Sequence, residues 1–298
     1  MRLLESRALP EGGFPARGGE PFRSDATAWA ILALSQLVSG HSLLGPARDR
    51  LTTAQDPDGR VSMSREHEEA FWPTALSILA WHGSQAYEPH CSRGVLFLLN
   101  TTGQHRSKNP DEPVGHDPSI LGWPWIDGTH SWIEPTALGV IALTVAGHGQ
   151  HDRVREAVRM ILDRQLPHGG WNYGNTTVFG RELHPMPENT GAALAGLAGQ
   201  AEQGTVVRSL DYLQGEVDRL RTPVSLGWVL LGLAAWDLWP SNGAALVERC
   251  LANQARYGEY DTSALCLLLL AALEGEAGGK NTVFPHAIHQ HLSAGHPH

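Results

Sequence analysis

The chain has 298 residues, 42% of them hydrophobic, with 22 basic against 31 acidic side chains and a formal net charge of −9. That balance argues against a nucleic-acid surface, and no basic run with interleaved aromatics occurs. Three cysteines (Cys91, Cys250, Cys266) stand far apart with no CxxC pair, which reads as buried free thiols in a reducing, cytoplasmic compartment.

The first residues, MRLLESRALPEGG, contain no apolar stretch long enough for a signal peptide. Residues 1–11 are expected to form a short helix or arm, and Gly12–Ser24 a connector. Asp25 is expected to N-cap the next helix through its carboxylate. That helix opens the dominant pattern of the chain. An apolar, small-residue helix with a hydroxyl near its start recurs at Thr27, Thr74, Thr136, Thr190, Ser225 and Ser263, at intervals of 35 to 62 residues. A helix without charge on any side is buried all round or faces an apolar cavity.

Between these copies lie amphipathic segments. Residues 47–55 and 91–100 read as such helices, the first stopped by Asp56-Pro57-Asp58-Gly59. Residues 152–165 put Val154, Ala157, Val158, Ile161 and Leu162 on one stripe and charges on the other. VVRSLDYLQG and GAALVERCLANQ repeat the pattern. Six alternations predict an all-α chain of six helix pairs, with apolar helices in an inner ring and amphipathic helices in an outer ring, as one domain over residues 1–276. A solenoid with the same alternation stays open. Residues 277–298 carry five histidines and are expected to be a loose tail.

Two long polar loops precede inner helices. The 101–119 insertion runs into Gly122-Trp123-Pro124-Trp125-Ile126-Asp127-Gly128-Thr129-His130-Ser131-Trp132-Ile133-Glu134-Pro135. The loop 176–189 carries Arg181, Glu182, His184 and Glu188. Loops of this length in a compact domain are often functional. If the inner helices run parallel, these loops crowd one mouth of the ring. Asp127, Glu134 and Glu188 are then the candidate acids or bases. Trp123, Trp125, His130, Trp132, Trp171, Tyr173 and His184 are candidate ligand contacts, and Trp29, Trp81 and Trp228 candidate cavity walls. Gly139, Gly191 and Gly196 are expected to leave room for a ligand.

Gln165-x-x-x-Gly169-x-Trp171 resembles the QW repeat of squalene–hopene cyclases, and Gln55-x-x-Asp58-Gly59 and Gly12-Gly13-Phe14 look like degenerate copies. Gly-Gly-aromatic turns leading into Thr-Ala-rich helices are also similar to the repeats of protein prenyltransferase β subunits. The resemblance spans essentially the whole chain and implies a closed (α/α)6 toroid. It also implies an apolar, isoprenoid-like ligand in the centre, and leaves open a peripheral membrane contact or a partner chain.

The departures are as informative. The Asp-x-Asp-Asp acid of class II cyclases is absent, and Asp127-Gly128-Thr129 stands where a zinc-binding Asp-x-Cys would be needed, so no metal or cofactor is expected. The thioester motif of complement-type toroids, a phosphate loop and Asp-rich diphosphate motifs are absent as well. Three readings follow. One is a terpene cyclase- or prenyltransferase-like enzyme, the second a non-catalytic lipid carrier or docking subunit, and the third a carbohydrate-active toroid.

Overall fold

The computed structural model describes residues 2–38, 40–109, 114–278 and 283–284. In chain order the helices are α1 (Arg2–Glu5), α2 (Ser24–Leu37), α3 (Leu44–Thr52), α4 (Pro73–Trp81), α5 (Glu88–Asn100), α6 (Ile133–Leu143) and α7 (Asp152–Asp163). They continue as α8 (Pro187–Leu197), α9 (Gln203–Glu216), α10 (Pro223–Ala234), α11 (Gly243–Ala252), α12 (Gln254–Tyr257) and α13 (Thr262–Glu276). One hairpin, β1 (Thr177–Val178) with β2 (Arg181–Glu182), decorates the loop before α8.

The six apolar helices pack side by side in the order α2, α4, α6, α8, α10, α13, and α13 returns to α2. That last contact closes the ring and removes the solenoid. Helices α3, α5, α7, α9 and α11 lie outside, packed on α2, α4, α6, α8 and α10. In α7 the buried set is Val154, Ala157, Val158, Met160 and Ile161, with Arg153 buried among them. Inner helices such as α4 and α8 bury nearly every residue. The first outer helix is reduced to the four residues of α1, anchored by fully buried Leu4.

The repeated threonine has one job in four copies. Thr27 Oγ1 accepts from the Phe14 N–H (2.8 Å) and donates to the Phe14 carbonyl. Thr74 does the same for Val61, Thr136 for Trp123 and Thr190 for Trp171. Each hydroxyl thus satisfies the backbone of the connector residue that follows the glycine turn, a group otherwise buried without a partner. Ser225 departs from this pattern, donating to Glu188 instead.

The Gln-Gly connector ties neighbouring repeats together. Gln165 Nε2 donates to Ser209 Oγ of α9, which also accepts from the Gly170 N–H. Gln55 Nε2 reaches the Gly59 and His90 carbonyls. Gly169 sits at φ +95°, and a Cβ there would stand 2.6 Å from the Arg208 carbonyl, so only glycine permits this approach of loop to outer helix.

Several expectations are corrected. Asp25 does not cap α2: Arg23 occupies the cap position without a side-chain cap, and Asp25 pairs with its guanidinium at 2.9 Å. The glycines do not open a cavity. A Cβ on Gly191 would strike the backbone of Trp228, one on Gly196 would meet Ala137, and one on Gly139 would meet the Trp123 ring. They let α8 approach α10 and α6, and let Trp123 lie on α6. Trp81 faces outward, its ring 5.6 Å from His90 of α5. The histidines of the tail lie outside the described residues.

Candidate functional site

Glu134 and Glu188 are in the first turns of the neighbouring inner helices α6 and α8. Helices α6, α8 and α10 present their N-termini to one another at this mouth, because Ser225 in the first turn of α10 donates to Glu188 Oε2 at 2.8 Å. The Glu134 carboxylate accepts from Trp228 Nε1 at 3.1 Å, a bond that skips α8 and crosses the ring to the middle of α10.

Protein surrounds Glu134, yet its side chain keeps some accessible surface. Burial raises its pKa to about 7, the Trp228 hydrogen bond opposes that rise, and the Glu188 charge adds to it. At neutral pH the Glu134 carboxyl is therefore about half protonated, and its proton is readily given or taken. Beneath it the centre of the ring is aromatic. Trp29 meets Trp228 edge-on at 5.8 Å between centroids, and Phe284 stacks on Trp228 at 6.4 Å. The Phe284 segment is held at the opposite end of the ring, where the Val283 N–H donates to Glu274 in the last turns of α13. Phe284 thus closes the ring from below.

The remaining candidates separate into three groups. Trp123 and Trp171 are buried connector residues whose indole N–H groups bond the Leu98 and Ile161 carbonyls, so both hold outer helices. Trp125 packs edge-on against Trp72 at 5.0 Å, and Trp132 lies 4.2 Å from the His130 ring, placing both indoles at the rim. Asp127, Tyr173 and His184 are exposed. The Asp127 carboxylate accepts from the Gly128 N–H and the His184 carbonyl accepts from Asn172, both roles in loop geometry.

Sequence reading missed Phe284, the contact of Ser225 with Glu188, and a concavity on the rim. This one measures about 540 Å³ and is lined by Gln104, Arg106, His116, His130, Arg164 and Asn175 among others. It forms because residues 104–106 and 114–118 pack back on the barrel. Gln104 bridges to His130, and the Asp117 N–H donates to Asp163. Among the described residues no group of His, Cys, Asp and Glu could hold a metal ion, and no helix is long and apolar enough to cross a membrane.

No protein-family model and no curated protein matches the sequence. Solved structures do match. The fold is the (α/α)6 toroid. The chain is similar to the GH76A α-1,6-mannanase of Salegentibacter sp. (10% identity, 92% of this chain and 96% of that chain, TM-score 0.61). It is equally similar to a type II terpene cyclase from Scytonema (11% identity, 93% and 95%, TM-score 0.61). A protein from Actinoplanes matches at 15% identity over 93% and 96% of the chains, with a TM-score of 0.59. Identities this low establish shared architecture, and architecture of this kind serves more than one chemistry.

Proposed function

We propose that the chain is an acid/base enzyme in which Glu134 supplies a proton at the mouth of the inner ring to an apolar, isoprenoid-like substrate. The observation that carries this reading is the Glu134 carboxyl, enclosed by apolar inner helices, raised toward neutrality by burial and bonded to Trp228. Glu188, fixed by Ser225, accepts the returning proton. Trp228 and Trp29 offer aromatic faces below, which attract a developing cation. Three buried free thiols fit a cytoplasmic setting.

A second reading, glycoside cleavage, is favoured by the pairing itself. A carboxylic acid of raised pKa beside a second carboxylate is the arrangement that hydrolyses glycosidic bonds. The mannanase similarity is compatible with it.

Native mass spectrometry of the purified protein, with organic extraction of whatever co-purifies, separates the two. A bound isoprenoid or terpenoid, with turnover lost in Glu134→Gln, is the expected result. An empty chain that ignores isoprenoids and cleaves α-mannosides moves the assignment to sugars. An empty chain that acts on neither and binds a second protein points to a docking role.

A further inference from the structure

Two arginines on α7 and its exit are almost fully buried, and they are treated differently. Arg153 lies with its guanidinium 3.8 Å from the centre of the Trp123 ring and donates to the carbonyls of Thr101, Leu121 and Gly122. Its charge is fully occupied by acceptors and an aromatic face. Arg164, 4% exposed, makes a single hydrogen bond, from Nη1 to the Ser131 carbonyl at 2.6 Å. Its Nε has no partner, and among the described residues no carboxylate stands within ion-pair distance. The nearest negative influence is the adjacent Asp163, whose carboxylate accepts from the Asp117 N–H. A buried charge left in this state is costly unless an opposite charge joins it.

Arg164 borders the 540 Å³ rim concavity, and so does His116, 7% exposed, whose Nδ1 also has no partner. Thr176, beside the lining residue Asn175, is buried with a free hydroxyl. His130 lines the same space, and Arg106 adds positive potential from the same wall. Two unpartnered polar groups, Arg164 Nε and His116 Nδ1, each on a side chain more than nine-tenths buried, thus meet at one concavity.

We propose that the concavity lined by Arg164, His116 and His130 is a binding site for a phosphate group. A tetrahedral oxyanion offers several acceptors to donors converging from different directions, and a guanidinium is the side chain best suited to it. The volume exceeds that of inorganic phosphate alone, so the site takes a phosphate ester, with the organic part lying along Gln104 and Asn175. The site stands independently of the Glu134 reading. Asp117 is the one acid whose charge acts on His116, against Arg164, His130 and Arg106; burial and these cations hold the imidazole near a pKa of about 4. Both imidazoles are therefore neutral donors at pH 7, and an arriving dianion reverses the field on His116.

The test is titration of the full chain with inorganic phosphate, with pyrophosphate and with glycerol phosphate, against chloride at matched ionic strength. Readouts are calorimetry and the His116 ring resonances. Saturable binding is expected, at least tenfold weaker in Arg164→Lys and in His116→Gln. An upward shift of the His116 titration on binding is expected as well. Thermal melting confirms that each variant is folded, and His130→Gln, altering an exposed side chain, serves if either buried substitution unfolds the protein. Tighter binding of the ester than of inorganic phosphate identifies an organic ligand; equal binding identifies free phosphate as the occupant. Absence of saturation by all three anions, or unaltered affinity in the folded variants, overturns the proposal.

Discussion

Glu134 Oε1 accepts a hydrogen bond from Trp228 Nε1, although 94 residues and one intervening inner helix separate them. Burial, opposed by this bond, gives Glu134 an unusual proton balance. Its folded pKa is raised from 4.5 to about 7, so the fold favours the protonated carboxyl. This contribution is complete below pH 4.5 and is lost as pH rises from there to about 7, amounting to about 3 kcal/mol. Glu134→Gln removes that loss. The variant is expected to match the native chain at about pH 4 and to be the more stable by up to about 3 kcal/mol at about pH 8, as read by urea unfolding at both pH values. Equal stability at pH 8 would refute the neutral carboxyl.

Trp228→Phe deletes the donor while keeping an aromatic ring. The hydrogen bond lowers the Glu134 pKa, so its loss is expected to move the carboxyl titration upward from about 7, followed by ¹³C NMR of the Glu134 carboxyl. If Glu134 is the reacting acid, the alkaline limb of the activity profile moves the same way.

Thr136→Val is isosteric but leaves the Trp123 N–H buried without its acceptor. The expected cost is about 1–3 kcal/mol by denaturant unfolding. Thr190→Val, which orphans the Trp171 N–H, should behave alike. A Ser225→Ala change spares the connectors and should cost less, because Ser225 bonds Glu188 and Thr222 rather than buried backbone.

Gly191→Ala places a methyl against the Trp228 backbone, where neither helix has a flexible side chain to yield. Overpacking of this sort costs about 1–3 kcal/mol. Because α8 and α10 carry Glu188 and Trp228, the same change should also perturb the Glu134 titration.

Phe284→Ala removes the ring stacked on Trp228. A loss of about 3 kcal/mol is expected from an emptied aromatic position, with a red shift of indole fluorescence as water reaches Trp228. Unchanged emission would mean that the ring stays closed without Phe284.

Much of this architecture is legible in the sequence because it rests on local, periodic choices. A helix such as 133–143, charge-free beyond its first turn, must be enclosed, and striped ones such as 152–163 must lie at a surface. A threonine thirteen residues after Phe14, Val61 and Trp123, and nineteen after Trp171, repeats because each connector backbone needs the same partner. Glu134 and Glu188 are visible as acids in matching first turns. Trp123 and Trp171 stand out in the same stretches, yet residue type cannot say whether an indole faces a ligand or braces a helix. The glycines of α8 mislead for a related reason: absence of a side chain is the same signal whether a ligand or a neighbouring helix fills the space.

What only the tertiary structure decided depends on closure of the ring. Contact of α13 with α2 turns a row of helix pairs into an enclosure, and enclosure raises the Glu134 pKa by removing water from around its charge. Closure also brings Trp228 to Glu134 and Phe284 to Trp228. The rim concavity arises in the same way, since Arg164 and His116, distant in sequence and unremarkable there, become neighbours only when residues 114–118 fold back onto the rim. The strengths of these interactions depend on burial and distance, and neither is a property of any residue alone.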